Sequence, residues 1–292
     1  MALTISAEEL KLFEDYLREY SGLVFKGAQE DLFKKRILMR VEANSLGSVK
    51  DYYHFLRFDS KKEEEIILLL NLVTVNETYF FREPPQMEML KNSFLPMLKE
   101  SKQKSGIKKI RIWSAACSTG AEPYTMAILI VESGLFSPKE WTIEILGSDI
   151  NTEALNVAKQ GIYNEFDFRA TDANIRTKYF SHDSGRYFKL DKKIIDMVKF
   201  SRINFFNSSQ MAFVKDIDLI LCRNALIYFD SDGKSKIVKN FYDSLAPGGF
   251  LLIGQTESLF KITTLFDMKP MSKVIMYQKP LISAGGKNAL PK

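Results

Sequence analysis

A run of small and polar residues between an apolar strand and a helix is the part of this sequence best suited to hold a ligand. Residues 110–113, Ile-Arg-Ile-Trp, are predicted to form a mainly apolar strand, and residues 114–120 form the loop. Pro123 suits a first helical turn because its missing N–H would have no partner there. Small side chains, Ala115 among them, let a ligand approach backbone N–H groups. The loop keeps only Gly120 of the dinucleotide-binding glycine pattern. It therefore favours a cofactor without a pyrophosphate, and S-adenosylmethionine is the leading candidate.

Two carboxylates accompany this loop. Asp149 follows a second predicted strand, 142–147, where it is placed to accept hydrogen bonds from both hydroxyls of a ribose. The alternative is that Asp149 caps the helix that begins near Thr152. Glu122 lies where the loop enters its helix, so it either receives the ammonium group of the ligand or satisfies the N-terminus of the helix.

The third predicted strand, 218–222, ends in a cluster of polar and aromatic residues. Arg223, Asn224 and Tyr228 follow it directly, at the sheet edge where α/β proteins bind ligands. Structural roles remain open for two of them. In the structural alternative, Tyr228 only fills the core and Arg223 only pairs with a nearby acid.

Residues 74–83 combine three adjacent aromatics with Asn76, Thr78 and Arg82, which is unusual for a connection between domains. The segment must pack against another part of the protein. In one interpretation it is a lid over the cofactor, with Asn76 and Thr78 donating hydrogen bonds and Arg82 facing the reaction centre. In the other, its aromatic side chains only join the two domains.

Composition narrows the chemistry. The 292 residues carry a formal net charge of +5, but 36 Asp and Glu nearly balance 41 Lys and Arg, so we expect a mixed, solvated surface. The two histidines and two cysteines form no metal-ligand spacing, which predicts no metal site and no imidazole base. No apolar run approaches the ~18 residues that span a bilayer and none reads as a signal peptide, so we expect a cytoplasmic protein.

The pattern of elements predicts an α/β fold preceded by an all-α domain. Apolar residues recur at helical spacing up to residue 70, and strands alternate with helices farther on, which is typical of a parallel, doubly wound sheet closed by late antiparallel strands. Residues 187–190 and 197–200 are expected to form a small antiparallel β insertion. The predicted divisions are the helical domain 1–70, a linker 71–90, a Rossmann-like domain 91–282 with its β subdomain at 178–201, and a disordered tail 283–292.

Several of these segments together resemble the chemotaxis receptor methyltransferase family, CheR. The resemblance covers nearly the whole chain, and it implies a helical N-terminal domain, a linker, and a Rossmann-like domain that binds S-adenosylmethionine. The stretches that carry it are N-E-T-Y-F-F-R-E (76–83), W-S-A-A-C-S-T-G-A-E-P-Y-T (113–125), S-D-I-N-T-E-A-L (148–155), N-F (204–205), C-R-N-A-L-I-Y-F (222–229) and P-G-G-F-L-L-I-G (247–254) followed by Glu257.

The resemblance also implies roles for individual residues. Arg82 and Tyr228 would flank the methyl-transfer centre, and glutamates on the cytoplasmic helical bundle of a chemoreceptor would become γ-methyl esters, leaving S-adenosylhomocysteine. A carboxylate with an ordinary pKa of about 4.3 is ionised at neutral pH and needs no general base. The cofactor site would comprise Asn76, Thr78, Arg82, Ala115, Glu122, Asp149, Asn204, Phe205, Arg223 and Asn224.

Contacts with the receptor are expected on a basic helix. Within residues 31–44, helical spacing puts Arg36 and Arg40 one turn apart with Lys34 and Lys35 beside them, although a merely solvated charged face has the same pattern. Some family members also bind a pentapeptide tether through a longer, glycine-rich hairpin. Here residues 181–186 are short with one glycine, which predicts weak or no tether binding.

Two other functions stay open at this point. A nucleic-acid methyltransferase would share the fold, although we find no amide-methylating N/D-P-P-Y motif and no basic residues interleaved with the aromatics of the linker. A catalytically inactive receptor-binding adaptor is the second. The presence of Arg82, Glu122, Asp149 and Tyr228 argues against it.

Overall fold

The structure is a computed structural model that describes residues 3–281, apart from the side chain of residue 28. The predicted tail 283–292 lies outside these residues. Helices form the first part of the chain, and their bounds are α1 (Ala7–Ser21), α2 (Ala28–Ala43), α3 (Val49–Phe58), α4 (Lys62–Val73), α5 (Pro84–Met89) and α6 (Leu95–Lys104), with a π-helical turn at Leu90–Phe94 between the last two.

Helices α1 to α4 pack around an apolar core of their own, which includes Phe13, Leu17, Phe33 and Ile37. These residues recur at the three- and four-residue spacing expected of a helix face turned to a core. A capping box of Ser6 and Glu9 provides hydrogen-bond acceptors for N–H groups at the start of α1. We call this four-helix unit the helical module.

Arg40 is half-buried and is held by a carboxylate of the helical module. Its Nε and Nη2 donate to the two carboxylate oxygens of Glu65 at 2.8 and 2.7 Å, and the Tyr52 hydroxyl donates to the same carboxylate at 2.7 Å. Glu65 is buried on α4. The expectation that Arg40 joins a receptor-contacting patch is therefore not met, because its position between Ile37 and Val41 turns it towards α4.

The second part of the chain alternates strands and helices, as predicted. The elements are β1 (Lys109–Ala115), α7 (Ala121–Ser133), β2 (Thr142–Asp149), α8 (Thr152–Gln160), β3 (Ile162–Asn164), α9 (Ala173–Tyr179), β4 (Phe180–His182), β5 (Tyr187–Leu190), α10 (Lys192–Ile195), β6 (Val198–Arg202), α11 (Ser208–Met211), β7 (Ile217–Cys222), α12 (Ser231–Ser244), β8 (Leu245–Ile253), β9 (Asp267–Met271) and β10 (Val274–Gln278).

Seven of these strands form one sheet, in the order β6-β2-β1-β7-β8-β10-β9. The first five in this order run parallel, and β10 and β9 close the sheet in antiparallel pairs. Every residue of β7 is buried, which is typical of a strand covered on both faces. The α/β fold class, with its late antiparallel pair, is confirmed.

The small second sheet differs from the prediction in its membership. It contains β3, β5 and β4, in that order, whereas residues 198–202 pair with β2 as the edge strand of the large sheet. The register sets Val198 opposite Ile145, and both side chains are buried in the large core. The prediction of a strand near residues 197–200 is confirmed, but its assignment to the insertion is wrong.

Polar contacts fix the helical module to the carboxyl end of the sheet. Asn151 donates to the Asn71 carbonyl at 3.0 Å and to the Thr74 hydroxyl at 2.8 Å, and Thr152 N donates to Asn71 Oδ1 at 2.8 Å. Asn71 and Asn151 are buried. Because buried amides lose much stability when unpaired, these bonds hold the start of the linker in one place.

Within residues 3–281, no helix is both long and apolar enough to cross a lipid bilayer.

We expect Glu65→Gln to lower the free energy of unfolding by about 3 kcal/mol, because it breaks a buried ion pair and leaves Arg40 without its carboxylate. Urea denaturation of the whole chain measures this. The matched control is Asp15→Asn, which removes an exposed pair with Lys11 and should cost less than about 0.5 kcal/mol. Equal losses in the two variants would contradict a structural role for Arg40.

Candidate functional site

A cavity of about 560 Å³ opens at the carboxyl ends of β1, β2, β6 and β7. Its volume falls within the range of small-molecule sites, roughly 300–1,000 Å³. The linker covers one side, and the end of α1 with the loop after it covers another. Most of the residues predicted from sequence line this cavity, namely Asn76, Thr78, Arg82, Glu122, Asp149, Asn204, Phe205, Arg223, Asn224 and Tyr228.

Ala115 is the exception among the predicted cofactor residues. It ends β1 fully buried in the apolar core behind the cavity, and the wall begins one residue later at Ala116. The chain turns sharply here, with φ of +58° at Ala116, +49° at Ser118 and +86° at Gly120. At Gly120 a Cβ would also come within 2.7 Å of Ala158, so the loop needs glycine at that position.

Asp149 shapes the floor of the cavity. Its two carboxylate oxygens accept hydrogen bonds from Ser118 N at 2.8 Å and Asn151 N at 2.9 Å. Helix α8 is capped by the Asn151 side chain, which accepts from Ala154 N, so Asp149 is not the cap. Burial raises the pKa of Asp149, and the backbone N–H groups oppose that shift. Each carboxylate oxygen keeps a second lone pair for a ligand hydroxyl.

The guanidinium of Arg223 binds four residues around the cavity. Its side chain is 2% exposed and donates to Gln86 Oε1 at 2.6 Å, to Glu122 Oε2 at 3.0 Å and to the Arg82 carbonyl. Glu83 lies 3.3 Å away as a second ionic partner. Arg223 thus ties the end of β7 to the linker and to the start of α7, which agrees with the reading in which it pairs with nearby acids.

The charge balance of the cavity favours a cationic ligand. Glu122 accepts from Ser114 Oγ at 2.7 Å as well as from Arg223, so its carboxylate is held in place beside the cavity. No backbone N–H of α7 is among the donors that the structure gives Glu122, and Gly120 is the N-cap of that helix. The cavity wall carries more negative than positive side chains. The cations are Arg82 and Arg223, and the carboxylates are Glu77, Glu83, Glu122 and Asp149.

Asn224 presents a buried acceptor to this acidic region. Its backbone has φ of +58°, its N donates to Glu257 Oε2 at 2.9 Å, and its Nδ2 donates to Glu83 Oε1 at 3.2 Å. Its Oδ1 is buried, and among the described residues no donor reaches it. A buried acceptor left without a donor is costly, so this atom fits a ligand that brings an N–H or O–H group.

Arg82 and Tyr228 both line the cavity. Arg82 donates to the Glu77 carbonyl at 3.1 Å, and its guanidinium carbon lies 5.6 Å from the ring centre of Tyr79. Burial raises the pKa of Tyr228, and the nearby cation of Arg82 opposes that shift. The phenol therefore stays protonated at neutral pH.

The linker acts both as cavity wall and as an aromatic joint. Ser118 Oγ donates to the Asn76 carbonyl at 2.9 Å, which holds the linker on the loop after β1. Phe80 is fully buried against Phe168 and Phe180 at the small sheet, with ring centres 5.6 and 4.9 Å away. The segment therefore lines the cavity and also packs its aromatic side chains against the small sheet, and hydrogen bonds from Asn76 and Thr78 to a cofactor stay a prediction.

Asn204 and Phe205 line the cavity at the end of β6, but their side chains already have partners. Asn204 Nδ2 donates to the Tyr20 carbonyl at 2.7 Å, and its Oδ1 accepts from Phe206 N at 3.0 Å. Phe205 packs edge-on against Trp113, with ring centres 5.8 Å apart. Both residues therefore shape the wall, and Asn204 also joins the sheet to α1.

Sequence reasoning did not assign roles to Glu83, Gln86, Glu257 or the loop after α1. Glu83 and Gln86 bind Arg223, and Glu257 accepts from Gly254 N at 2.7 Å while it holds Asn224. Burial raises the pKa of the Glu257 carboxyl. The position of Glu83 and Gln86 just after Arg82, around the proline pair, was the available signal for two of them.

The predicted receptor-contacting residues lie on α2, and none of them lines the cavity. Lys34 approaches Glu30 at 3.2 Å, Lys35 is exposed and Arg36 is half-buried. Arg40 is held by Glu65, as described above.

No metal centre is found in residues 3–281. No three His, Cys, Asp or Glu side chains in that part of the chain are grouped to hold an ion. Cys117 and Cys222 are free and buried, and burial raises the pKa of both thiols.

Comparison with known proteins places this geometry in a family. The CheR methyltransferase SAM binding domain matches residues 76–275, and the CheR methyltransferase all-alpha domain matches residues 8–74. Chemotaxis protein methyltransferase 2 of Vibrio cholerae is 35% identical over 280 residues, which cover 95% of each chain. The chemotaxis protein methyltransferase of Borreliella burgdorferi is 33% identical over 77% of this chain and 81% of its own, and that of Escherichia coli is 27% identical over 91% and 90%.

Both family domains are therefore present, in the order and over the residues where the structure has its helical module and its α/β sheet. The resemblance that the motifs carry is confirmed. This chain belongs to the CheR methyltransferase family, and it is an S-adenosylmethionine-dependent methyltransferase.

Proposed function

We propose that this protein transfers the methyl group of S-adenosylmethionine to glutamate side chains on the cytoplasmic helical bundle of a chemoreceptor, forming γ-methyl esters. The observation that carries the proposal is an acidic cavity lined by Arg82 and Tyr228, with no histidine among the described residues that line it. Such a site suits an acceptor that is already ionised. The enzyme would act in the cytoplasm.

The cavity residues divide between the two ends of the cofactor. Glu122 and the unpartnered Oδ1 of Asn224 are suited to its ammonium group, since both are acceptors in an acidic region. Asp149 is suited to the ribose hydroxyls. The remaining wall residues that we assign to the cofactor are Asn76, Thr78, Asn204, Phe205 and Arg223, while the side chain of Arg82, beside the cofactor, is assigned to the acceptor.

The electrophile would be the methyl carbon that the cofactor carries on its positively charged sulfur. A carboxylate oxygen of the acceptor glutamate would form the new C–O bond with its own lone pair, while the C–S electrons return to sulfur and S-adenosylhomocysteine is released. No proton moves in this step. What the protein must supply is alignment and exclusion of water, for which gains on the order of 7 kcal/mol or more are known.

Arg82 and Tyr228 would supply that alignment. An arginine on the linker can hold one carboxylate oxygen by hydrogen bonds and leave the other aimed at the methyl carbon. The protonated phenol of Tyr228 is a second donor in the same cavity. We assign both as the catalytic residues.

For the receptor, the structure supports a narrower basic surface than the sequence predicted. Lys35 is exposed and Arg36 is half-buried on α2, and Lys34 has only surface partners. A receptor carboxylate can displace such surface partners at little cost. Arg40 is excluded from the proposal because a buried carboxylate holds it.

The small sheet is not expected to hold a receptor tether. Strands β4 and β5 are joined by the four residues 183–186, with one glycine at position 185. Titration of this protein with a C-terminal receptor pentapeptide should give no measurable binding below about 100 μM, a free energy weaker than about −5.5 kcal/mol. Micromolar affinity would overturn this part of the proposal.

The direct test is incubation with labelled S-adenosylmethionine and the cytoplasmic fragment of a chemoreceptor, followed by mild alkali. We expect label on the receptor fragment that alkali releases as methanol, because esters hydrolyse under conditions that leave methylated amines and amides intact. Alkali-stable label on protein, or label on nucleic acid offered in parallel, would contradict glutamate esterification. Cofactor binding without any transfer would support an inactive adaptor.

In the same assay, Arg82→Ala should lower kcat by about 100-fold or more, because the acceptor loses the donor that orients it. Calorimetric affinity for S-adenosylhomocysteine should stay within about threefold of wild type, a difference below about 0.7 kcal/mol. Arg57→Ala, which removes a cation on the helical module, is the matched control and should change neither. An unchanged kcat in Arg82→Ala would remove Arg82 from the mechanism.

The pH dependence follows from the same groups. The acceptor carboxylate loses its proton near pH 4.3, and burial moves the pKa of Tyr228 upwards from its ordinary value of about 10, so neither group changes charge between about pH 6 and 9. We therefore expect kcat to be flat across that interval. A profile that rises through a pKa near 7 would reveal a general base and contradict the mechanism.

A further inference from the structure

We propose that the loop between α1 and α2, residues 22–27, positions Tyr228 and so makes the helical module part of the catalytic centre. This inference rests on the proposed function. It assigns to the module a second task besides carrying the basic surface of α2.

The loop pairs directly with the segment that carries Tyr228. Val24 N donates to the Tyr228 carbonyl at 3.0 Å, and Leu23 forms an antiparallel bridge with Phe229. Tyr228 is the last residue of a single 3-10 turn, Leu226–Tyr228. The hydrogen bonds of a 3-10 turn have poor geometry, so the turn alone holds Tyr228 only weakly. A partner outside the turn is therefore needed to fix the position of the tyrosine.

Further contacts hold the loop against the α/β domain on either side of that bridge. Arg18, in the last turn of α1, forms an ion pair with Asp230, two residues beyond Tyr228. Gly22 follows with φ of +77°, and a Cβ at this position would come within 2.2 Å of the Phe206 ring. Glycine is required there because both the backbone conformation and the close approach exclude a side chain.

The loop also forms part of the cavity wall. Leu23, Val24 and Phe25 line the same cavity as Tyr228. The Phe25 ring stacks on that of Phe33, with 4.2 Å between ring centres, and Phe33 is buried in the core of the helical module. The loop thus connects the core of α2 with the backbone of the proposed catalytic tyrosine.

The geometry explains why the module belongs to the catalytic centre. A hydrogen bond to the Tyr228 carbonyl cannot change the chemistry of the phenol, but it restricts where the side chain can reach. Misplacement of an aligned group by about 1 Å can cost on the order of 100-fold in rate. Val24 is therefore assigned as a positioning residue, acting through Tyr228.

The test removes one N–H group. Val24→Pro deletes the donor to Tyr228, and Val24→Ala keeps the donor while trimming the side chain. With a receptor fragment as acceptor, we expect Val24→Pro to lower kcat by about tenfold or more with affinity for S-adenosylhomocysteine within about threefold of wild type. Val24→Ala, which keeps the N–H, should lower kcat clearly less than Val24→Pro does. Wild-type kcat in Val24→Pro would overturn the inference.

Hydrogen exchange provides a readout that needs no turnover. Exchange of the amides in residues 224–230 should be faster in Val24→Pro than in wild type and unchanged in Val24→Ala. Unchanged exchange in Val24→Pro would overturn the inference even if the protein were found not to methylate receptors. Conversely, the absence of methyl transfer by the wild type would contradict the proposed function. The exchange measurement would then still test whether the loop 22–27 positions Tyr228.

A second pair of variants covers the case in which Val24→Pro does not fold. Phe25→Ala removes the stacking on Phe33, and Phe25→Leu keeps an apolar side chain of similar reach. We expect kcat to fall several-fold in Phe25→Ala and to recover in Phe25→Leu, with faster exchange over residues 224–230 only in the alanine variant. Equal behaviour of the two variants would contradict positioning by the loop.

Discussion

The arrangement of the whole site depends on one buried guanidinium. Arg223 directly follows β7, and its side chain is almost completely buried. Its partners come from three elements, with Glu122 on α7, Gln86 on α5, and Glu83 and the Arg82 carbonyl on the linker. A buried cation is tolerated only when its N–H groups are satisfied. If the linker lifted from the sheet, this buried charge would lose Glu83 and the Arg82 carbonyl and keep Glu122 as its remaining carboxylate, and that constraint holds Arg82 in the cavity wall.

The same ion cluster sets the chemistry of the cavity. Two carboxylates share Arg223, and Asp149 adds a third carboxylate nearby without a cationic partner of its own in the hydrogen bonds that hold it. Charge balance then favours a ligand with positive charge, as the sulfonium and ammonium groups of S-adenosylmethionine provide. Because the methyl acceptor we propose is already an anion, the site needs orientation more than it needs a base.

Much of this could be predicted from the sequence, because local patterns determine it. Strands that run into small or polar residues placed Glu122, Asp149, Arg223, Asn224 and Tyr228 at one sheet edge, and parallel strands bring such ends together. The cavity wall includes Ala116 and not the predicted Ala115, because the length of a strand alone does not say at which residue the wall begins. It also placed 197–200 in the wrong sheet, because alternation along a strand does not reveal its pairing partner.

Long-range partners were beyond the reach of pattern reasoning. Arg40 has the spacing of an exposed helix face, yet it is neutralised by Glu65, which is 25 residues away. The loop 22–27 carries no motif, and its contact with Tyr228 depends on how the helical module docks on the sheet. Asn71, Asn151 and Asn204 make that docking specific through buried amide hydrogen bonds. The two domains consequently form the cavity together.

Calorimetric titration of S-adenosylhomocysteine into Arg223→Met tests the central role of the buried guanidinium most directly. Without this cation Glu83 and Glu122 repel each other and the linker loses its attachment to β7, so we expect the cavity to lose its shape and the affinity to fall by more than about 100-fold, about 2.7 kcal/mol. Arg111→Met is the control, since Arg111 pairs with Glu144 near the opposite end of β1, and it should bind like wild type. Wild-type affinity in Arg223→Met would contradict the dependence of the site on Arg223.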